Sequence, residues 1–97
     1  MAAYVVNEIV VNDPATFQTY VVQVPPTLVP FGGRYLVRSG ASEAIEGEPP
    51  ARLVILEFPD RAAAKAWRGS PAYQAILPIR DASSTSRVYV VDGYEAG

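Results

Sequence analysis

The stretch between Arg52 and Tyr73, which reads RLVILEFPDRAAAKAWRGSPAY, indicates the fold most clearly. Leu53 to Phe58 is a short apolar run rich in branched residues, and Glu57 is its only polar residue. Pro59 closes the run because proline cannot continue a hydrogen-bonded ladder. This pattern is typical of a central β-strand.

The second half of the same stretch predicts a helix with a sharp start and a sharp stop. Asp60 is suited to cap the helix, and the alanine-rich segment after it favours helix strongly. Gly69 is expected to end that helix in the left-handed conformation. Ser70 then caps a further helix that runs from Pro71 to about Ser83, with a break at Pro78, because proline disrupts a helix interior.

The segment before this stretch predicts one strand and one interrupted helix. Ala3 to Val11 alternates so that both faces carry apolar groups with one polar interruption each, and we expect both faces to be covered. Asp13 and Pro14 cap and open the helix. Pro25-Pro26 must kink or break it, and Gly32-Gly33 ends it.

Two further strands complete the set of elements. Arg34 to Ser39 predicts the second strand, and residues 40–50 form a polar hairpin loop with Gly47 and Pro49-Pro50. A brief extended piece around Ala44 and Ile45 could prolong that hairpin. Thr85 to Asp92 predicts the last strand.

Length and charge limit the class of protein. The 97 residues are 49% hydrophobic, which fits one compact domain over residues 1–97. Eight Lys and Arg residues are outnumbered by ten Asp and Glu, for a formal net charge of -2. Nucleic-acid binding needs a basic face, so this composition argues against it.

The sequence contains neither cysteine nor histidine. This removes disulfides, thiolate nucleophiles, Ser-His-Asp chemistry and imidazole ligands. No glycine-rich phosphate loop is present either, so we expect no metal, haem or flavin cofactor. No signal-like or membrane-spanning apolar run appears, and the expected location is the cytoplasm.

The element order β-α-β-β-α-β predicts a ferredoxin-like α+β sandwich. Split βαβ pairing gives a four-stranded antiparallel sheet with both helices on one face. Strand alternation then assigns the residues that face the helices: Tyr35, Val37, Val54, Leu56, Phe58, Val88 and Val90. The opposite face mixes apolar residues with charged and polar ones: Val6, Leu36, Leu53, Ile55 and Val91 with Glu8, Arg34, Arg38, Glu57, Arg87 and Tyr89.

That opposite face is too apolar to be left in water and too charged for a simple core. A second copy of the sheet packed against it would satisfy both demands, so we expect a homodimer joined through this face. If the hairpin is symmetric, Arg34 lies opposite Glu57, and Arg87 lies near Glu8. Each carboxylate then has an arginine partner.

Several motifs resemble a known family. These are Asp13-Pro14, Pro25-Pro26-Thr27, Gly32-Gly33-Arg34-Tyr35-Leu36-Val37-Arg38, Leu56-Glu57-Phe58-Pro59, Ala66-Trp67 and Ser70-Pro71-Ala72-Tyr73-Gln74. Together they span nearly the whole chain and closely resemble the family catalogued as domain of unknown function 1330. The resemblance implies the dimeric α+β barrel superfamily, whose members include cofactor-free monooxygenases, muconolactone-type isomerases and haem-binding enzymes. It implies no agreed activity for the family itself.

Arg34 and Glu57 are the candidate catalytic residues. Arg34 could bind a substrate carboxylate bidentately, and Glu57 could transfer a proton if desolvation raised its pKa. The alternative is a structural ion pair, in which the arginine would lower that pKa. We expect the pocket to lie between the sheet and the helices near Pro25-Pro26, and to take a small anionic or carbonyl-bearing molecule.

The candidate substrate-binding residues are Tyr20, Pro26, Trp67, Tyr73 and Tyr89. Tyr20, Trp67 and Tyr73 can also be explained as core aromatic residues, and Pro26 as a helix breaker. Three functions remain open: a cofactor-independent isomerase or monooxygenase acting on an organic acid or an aromatic or polyketide-like substrate, a non-catalytic small-molecule binder, and a structural dimer module.

Overall fold

The computed structural model describes residues 1–39 and 41–95 and confirms the ferredoxin-like α+β architecture. The elements in chain order are β1 (Ala3–Val11), α1 (Pro14–Val21), α2 (Val24–Leu28), a 3₁₀ turn (Val29–Phe31), β2 (Arg34–Ser39), β3 (Arg52–Phe58), α3 (Arg61–Arg68), α4 (Pro71–Ser83) and β4 (Ser84–Asp92).

The four strands form one antiparallel sheet in the order β2-β3-β1-β4. The central strand β1 places Val5 between Leu56 of β3 and Val90 of β4, so these three side chains share the face that the helices cover. On the other face, called the open face below, Glu57 lies opposite Arg34 and Glu8 lies opposite Arg87. Both predicted charge pairs are therefore confirmed.

The predicted helix starts are confirmed by side-chain caps. The carboxylate of Asp13 accepts a hydrogen bond from the Thr16 amide at 3.2 Å, and that of Asp60 accepts one from Ala63 at 2.8 Å. Ser70 caps α4 by accepting from the Tyr73 amide at 3.3 Å. Such caps satisfy amides that have no partner within the helix.

The predicted interruption at Pro25-Pro26 is confirmed. Helix α1 ends at Val21, and the chain turns before α2 begins at Val24, so both prolines lie in a first turn. There the missing amide hydrogen costs little. Gly32 then adopts a left-handed φ of 68° and ends this helical region.

Two predictions about helix ends were wrong. Gly69 ends α3 with φ of -85°, which is right-handed, because its amide still bonds to Lys65 while α4 begins almost at once. Pro78 lies inside the continuous helix α4 without breaking it. Pro78 is exposed, so the carbonyl that loses its amide partner can be hydrated, and the cap at Ser70 still fixes the start of the helix.

Two smaller expectations also failed. Ala44 and Ile45 form no strand, and Ile45 is fully exposed, so nothing holds this part of the loop against the sheet. Val88 points to the helix-facing side of β4 but remains 36% exposed. Its side chain lies in an open groove beside α3 instead of under a helix.

The core lies between the sheet and the helices. Phe58, Trp67 and Tyr73 are almost completely buried and contact one another, with ring centres 5.4 Å apart for Phe58 and Trp67 and 4.3 Å apart for Trp67 and Tyr73. The indole nitrogen of Trp67 donates to the hydroxyl of Thr27 at 3.0 Å. This bond ties α3 to α2 and satisfies the buried indole.

A β-bulge in β2 changes which side chains face the helices. Tyr35 lies opposite Leu56, but Val37 lies opposite Ile55, so Leu36 is an extra residue without its own partner. The period of two is thereby shifted by one residue. The predicted faces of Val37 and Arg38 were therefore wrong: Val37 joins the open face of the sheet, and Arg38 joins the helix-facing side opposite Val54.

Candidate functional site

A cavity lies between the helix-facing side of the sheet and helices α1 and α2. It is narrow and partly open to solvent, with a volume of about 30 Å³. Its walls are mainly apolar and aromatic, and they are formed by Asn7, Ile9, Phe17, Tyr20, Val21, Val24, Tyr35, Arg38, Arg52, Val54, Leu56 and Trp67. A volume of this size holds about two water molecules, so an organic ligand would have to widen this slot.

The charged residues of this cavity are two arginines, and no carboxylate is among its lining residues. Arg38 lies opposite Val54, and Arg52 is two residues before Val54 on the same face of β3. Such diagonal neighbours on adjacent strands are about 7–8 Å apart, within reach of long side chains. Both arginine side chains therefore lie on the helix-facing side of the sheet and line the same cavity.

Each arginine is held against an aromatic ring. The guanidinium carbon of Arg52 lies 5.4 Å from the ring centre of Phe17, and that of Arg38 lies 5.0 Å from the ring centre of Tyr35. Stacking of this kind orients a guanidinium, and Arg38 also donates a hydrogen bond to the Tyr35 hydroxyl. In the described part of the chain the buried Nε of Arg52 has no hydrogen-bond partner, so its N–H is available to donate to a ligand.

Two tyrosines supply the remaining hydroxyl groups of the cavity wall. Burial is the main cause that raises the pKa of Tyr20 and also that of Tyr35, so both are neutral at physiological pH. The Tyr20 hydroxyl lies 2.9 Å from the Tyr73 hydroxyl. Arg68 in turn donates to Tyr73 at 3.2 Å, so these hydroxyl groups connect the cavity to the outer side of α3.

Arg34 and Glu57, the candidate catalytic pair from the sequence, do not line this cavity. They lie on the open face of the sheet, where the Arg34 Nε donates to the Glu57 carboxylate at 2.7 Å. The Arg34 side chain is 68% exposed. A catalytic role for these two residues stays a prediction, and it would require a site on the open face.

The predicted substrate-binding residues separate into two groups. Tyr20 and Trp67 line the cavity, and Tyr73 lies directly behind Tyr20. Pro26 is exposed and is not among the lining residues. Tyr89 lies on the open face, where its hydroxyl donates to Glu8 at 2.7 Å.

Glu8 is the centre of a charged cluster on the open face. The hydrogen bond from Tyr89 and then that from Arg87 lower the pKa of the Glu8 carboxyl. The same carboxylate raises the pKa of Tyr89 and that of Arg87. The cluster is therefore a structural ion pair that keeps Glu8 ionised.

Sequence reasoning missed Asn7, Arg38 and Arg52 as site residues. Side chains alternate along a strand, so Arg52 lies on the same side of β3 as Val54 and Leu56. Extending the predicted third strand by one residue would therefore have placed Arg52 on the helix-facing side. Asn7 is likewise the polar residue between Val5 and Ile9 on the helix-facing side of β1. Its side-chain amide donates a hydrogen bond to the Val54 carbonyl at 3.2 Å. Arg38 had no such signal, because the bulge that turns it inward is set by pairing with β3.

Residues 1–39 and 41–95 contain no group of three or more Asp, Glu, His or Cys side chains placed to hold a metal ion. None of the helices within these ranges is long and apolar enough to cross a lipid bilayer.

Residues 2–94 match the family model described as domain of unknown function (DUF1330). The chain belongs to the DUF1330 family. The resemblance seen in the sequence motifs is thereby confirmed over nearly the full length. A search of curated proteins gave no match.

Solved structures show the same fold as this DUF1330 chain. A protein of unknown function from Rhodopseudomonas palustris is 16% identical, with a TM-score of 0.80 over 98% of this chain and 84% of that one. SnoaB, a cofactor-independent oxygenase from Streptomyces nogalater, is 15% identical, with a TM-score of 0.67 over 98% of this chain and 95% of its own. A putative antibiotic biosynthesis monooxygenase from Caulobacter crescentus CB15 is 15% identical, with a TM-score of 0.67 over 97% and 91%. At these identities the likeness concerns the fold alone.

Proposed function

We propose that this DUF1330 protein binds a small organic acid in the cavity between its sheet and its helices, which widens to admit it. The observation that carries the proposal is the pair Arg38 and Arg52 in an otherwise apolar, aromatic slot without a lining carboxylate. Arginine suits a carboxylate because its planar fork can donate two parallel hydrogen bonds. The aromatic walls favour an aromatic or polyketide-like body on the acid.

The proposed activity is that of a cofactor-independent enzyme of the monooxygenase or isomerase type. SnoaB, with a similar fold, is a cofactor-independent oxygenase, and this motivates the monooxygenase part of the proposal. The slot could exclude water from a bound substrate, while the arginines stabilise negative charge on its oxygen atoms. In this assignment Arg38 and Arg52 bind the acid, and Trp67 and Tyr20 form the walls against its ring.

The proposed assembly is a homodimer that covers the open face of the sheet. Leu36 and Val91 on that face are 44% and 42% exposed in the single chain. Ile55 lies on the same face, between the pair Arg34–Glu57 and the pair Arg87–Glu8. A second copy would bury these apolar groups while the arginines keep their carboxylate partners. Any role for Glu57 and Arg34 in proton transfer or anchoring would lie in the space between the two sheets.

A non-catalytic binder is the second candidate. The lining residues include no carboxylate or histidine that could act as a general base, and burial raises the pKa of Tyr20 and that of Tyr35. A binder needs only shape and charge complementarity, which this cavity offers.

Ligand binding is tested first by thermal shift with a panel of aromatic acids and their neutral amides. We expect the acids alone to stabilise the protein, by about 2.7 kcal/mol at a concentration one hundred times the dissociation constant. The stabilisation should vanish in Arg38→Met with Arg52→Met. It should persist in Arg34→Met, the matched control on the open face. An equal shift with the amides, or a shift that survives the double variant, would contradict the cavity assignment.

Catalysis is tested with whichever acid binds. A cofactor-independent monooxygenase should consume oxygen in air and convert a CH2 group of the acid to a carbonyl, because the substrate itself supplies the electrons that reduce the second oxygen atom to water. The product should therefore gain one oxygen atom and lose two hydrogen atoms. An isomerase should exchange a carbon-bound hydrogen of the acid with deuterium from heavy water. Binding with neither signal would favour the non-catalytic candidate. Loss of turnover in Glu57→Gln with unchanged binding would instead assign the chemistry to the open face.

A further inference from the structure

The Tyr20 hydroxyl is a candidate hydrogen-bond donor at the cavity wall. Tyr20 is 8% exposed and lines the cavity wall, and its one described hydrogen-bond partner is the hydroxyl of Tyr73. The direction of the bond between the two hydroxyl groups decides whether the Tyr20 hydrogen is used there or remains available. Arg68 determines that direction.

Arg68 carries only donors, so the Tyr73 oxygen must accept from it. Tyr73 is 1% exposed and is not among the cavity-lining residues. If Tyr20 also donated to Tyr73, the Tyr73 hydrogen would be buried without an acceptor, which is costly. If Tyr73 donates to Tyr20, the hydroxyl hydrogen left without an acceptor is that of Tyr20, whose side chain lines the cavity. The second arrangement is favoured, and each donation strengthens the next one along the chain.

We infer that the Tyr20 hydroxyl donates a hydrogen bond to a carbonyl or phenolate oxygen of the bound acid, and so selects acids that carry such a second oxygen. The inference rests on the proposed function, since the arginines must hold the carboxylate. It narrows the ligand class to oxo acids and hydroxylated aromatic acids. Tyr73 and Arg68 are positioning residues in this scheme, because they act through Tyr20.

The electrostatic surroundings agree with this role. The positive charge of the buried Arg80 acts on the Tyr20 hydroxyl, and its Nη2 atom has no hydrogen-bond partner within the described residues. A nearby positive charge favours an oxygen that carries negative charge. Burial keeps Tyr20 in the neutral form that can donate.

The experiment compares two acids of nearly equal size, benzoylformate and phenylacetate. Both place a carboxylate one carbon from a phenyl ring, but only benzoylformate has a carbonyl oxygen on that carbon. Dissociation constants are measured by calorimetry for the wild type, Tyr20→Phe and Tyr73→Phe. We expect the wild type to prefer benzoylformate by about threefold to tenfold, the value of one neutral hydrogen bond. Tyr20→Phe should lose this preference while it still binds phenylacetate.

The outcomes separate the two proposals. If both acids bind the wild type equally and binding depends on Arg52, the selection by Tyr20 is refuted and the anion site stands. If neither acid binds, the anion site fails and the inference fails with it. A preference retained in Tyr20→Phe refutes the inference. Tyr73→Phe tests the direction of the chain: an unchanged or smaller preference is expected, whereas a larger one would show that Tyr20 had been donating to Tyr73. If Tyr20→Phe fails to fold, equal binding of the two acids by the wild type still refutes the inference.

Discussion

Replacing Arg52 by methionine should make the protein more stable and remove its ligand. Methionine is close to arginine in length and can fill the space against Phe17, but it carries no polar nitrogen. In the described residues the buried Arg52 Nε has no hydrogen-bond partner. A residue retained at such a cost is better explained by ligand binding than by stability.

The expected size of the effect follows from two opposing contributions. Removing a buried donor without a partner should gain about 1–3 kcal/mol. Losing the contact between the Arg52 guanidinium and the Phe17 ring, 5.4 Å apart, should cost about 0.5–1 kcal/mol. The net gain is therefore about 0–2.5 kcal/mol. For a domain of this size each kcal/mol raises Tm by about 4–8 °C.

The assay is urea unfolding at one fixed protein concentration, followed by the fluorescence of the single tryptophan, Trp67. A fixed concentration matters because the stability of a dimer depends on it. Arg34→Met is the matched control: its ion pair is exposed, and its loss should cost under about 1 kcal/mol. The reasoning is refuted if Arg52→Met destabilises the protein by more than about 1 kcal/mol, or if the variant is still stabilised by an aromatic acid as strongly as the wild type.

Three further predictions concern packing, assembly and pH. Gly33→Ala should lower the free energy of unfolding in urea by about 1–3 kcal/mol, because the added carbon would lie 2.6 Å from the ring of the buried Phe58. Gly69→Ala is the control and should be tolerated, because its added carbon would lie 3.6 Å from the nearest atom. Ile55→Asp should dissociate or unfold the proposed dimer, since an unpaired charge in the interface is strongly disfavoured, and sedimentation of the wild type as a monomer at micromolar concentration would contradict the assembly. The hydrogen bonds from Tyr89 and Arg87 that lower the pKa of Glu8 stabilise the fold at pH values above the ordinary glutamate pKa of about 4.3. This stabilisation is lost as pH falls through the lower pKa of Glu8 in the folded state. Thermal melts between pH 7 and pH 3 should therefore fall less steeply for Glu8→Gln than for the wild type, and identical curves would exclude Glu8 as a contributor.

The sequence alone was sufficient for the architecture and for the charge pairs of the open face. Strand alternation, the caps Asp13, Asp60 and Ser70, and the paired prolines are local signals, and each acts through its immediate neighbours. The pairing of Arg34 with Glu57 was expected from a symmetric hairpin, and the extra residue at Leu36 leaves that pair in place. The structure confirms these predictions because nothing distant overrides them.

The composition of the cavity was decided by tertiary structure. The bulge at Leu36 exists because β2 and β3 pair with one extra residue on β2, and no local property of the sequence reveals that offset. One shifted residue turns Arg38 from the open face to the helix-facing side, where it meets Arg52. A strict period of two therefore predicted the wrong face for the arginine that completes the proposed anion site, because side-chain direction in a strand depends on the register with its neighbour as well as on the strand itself.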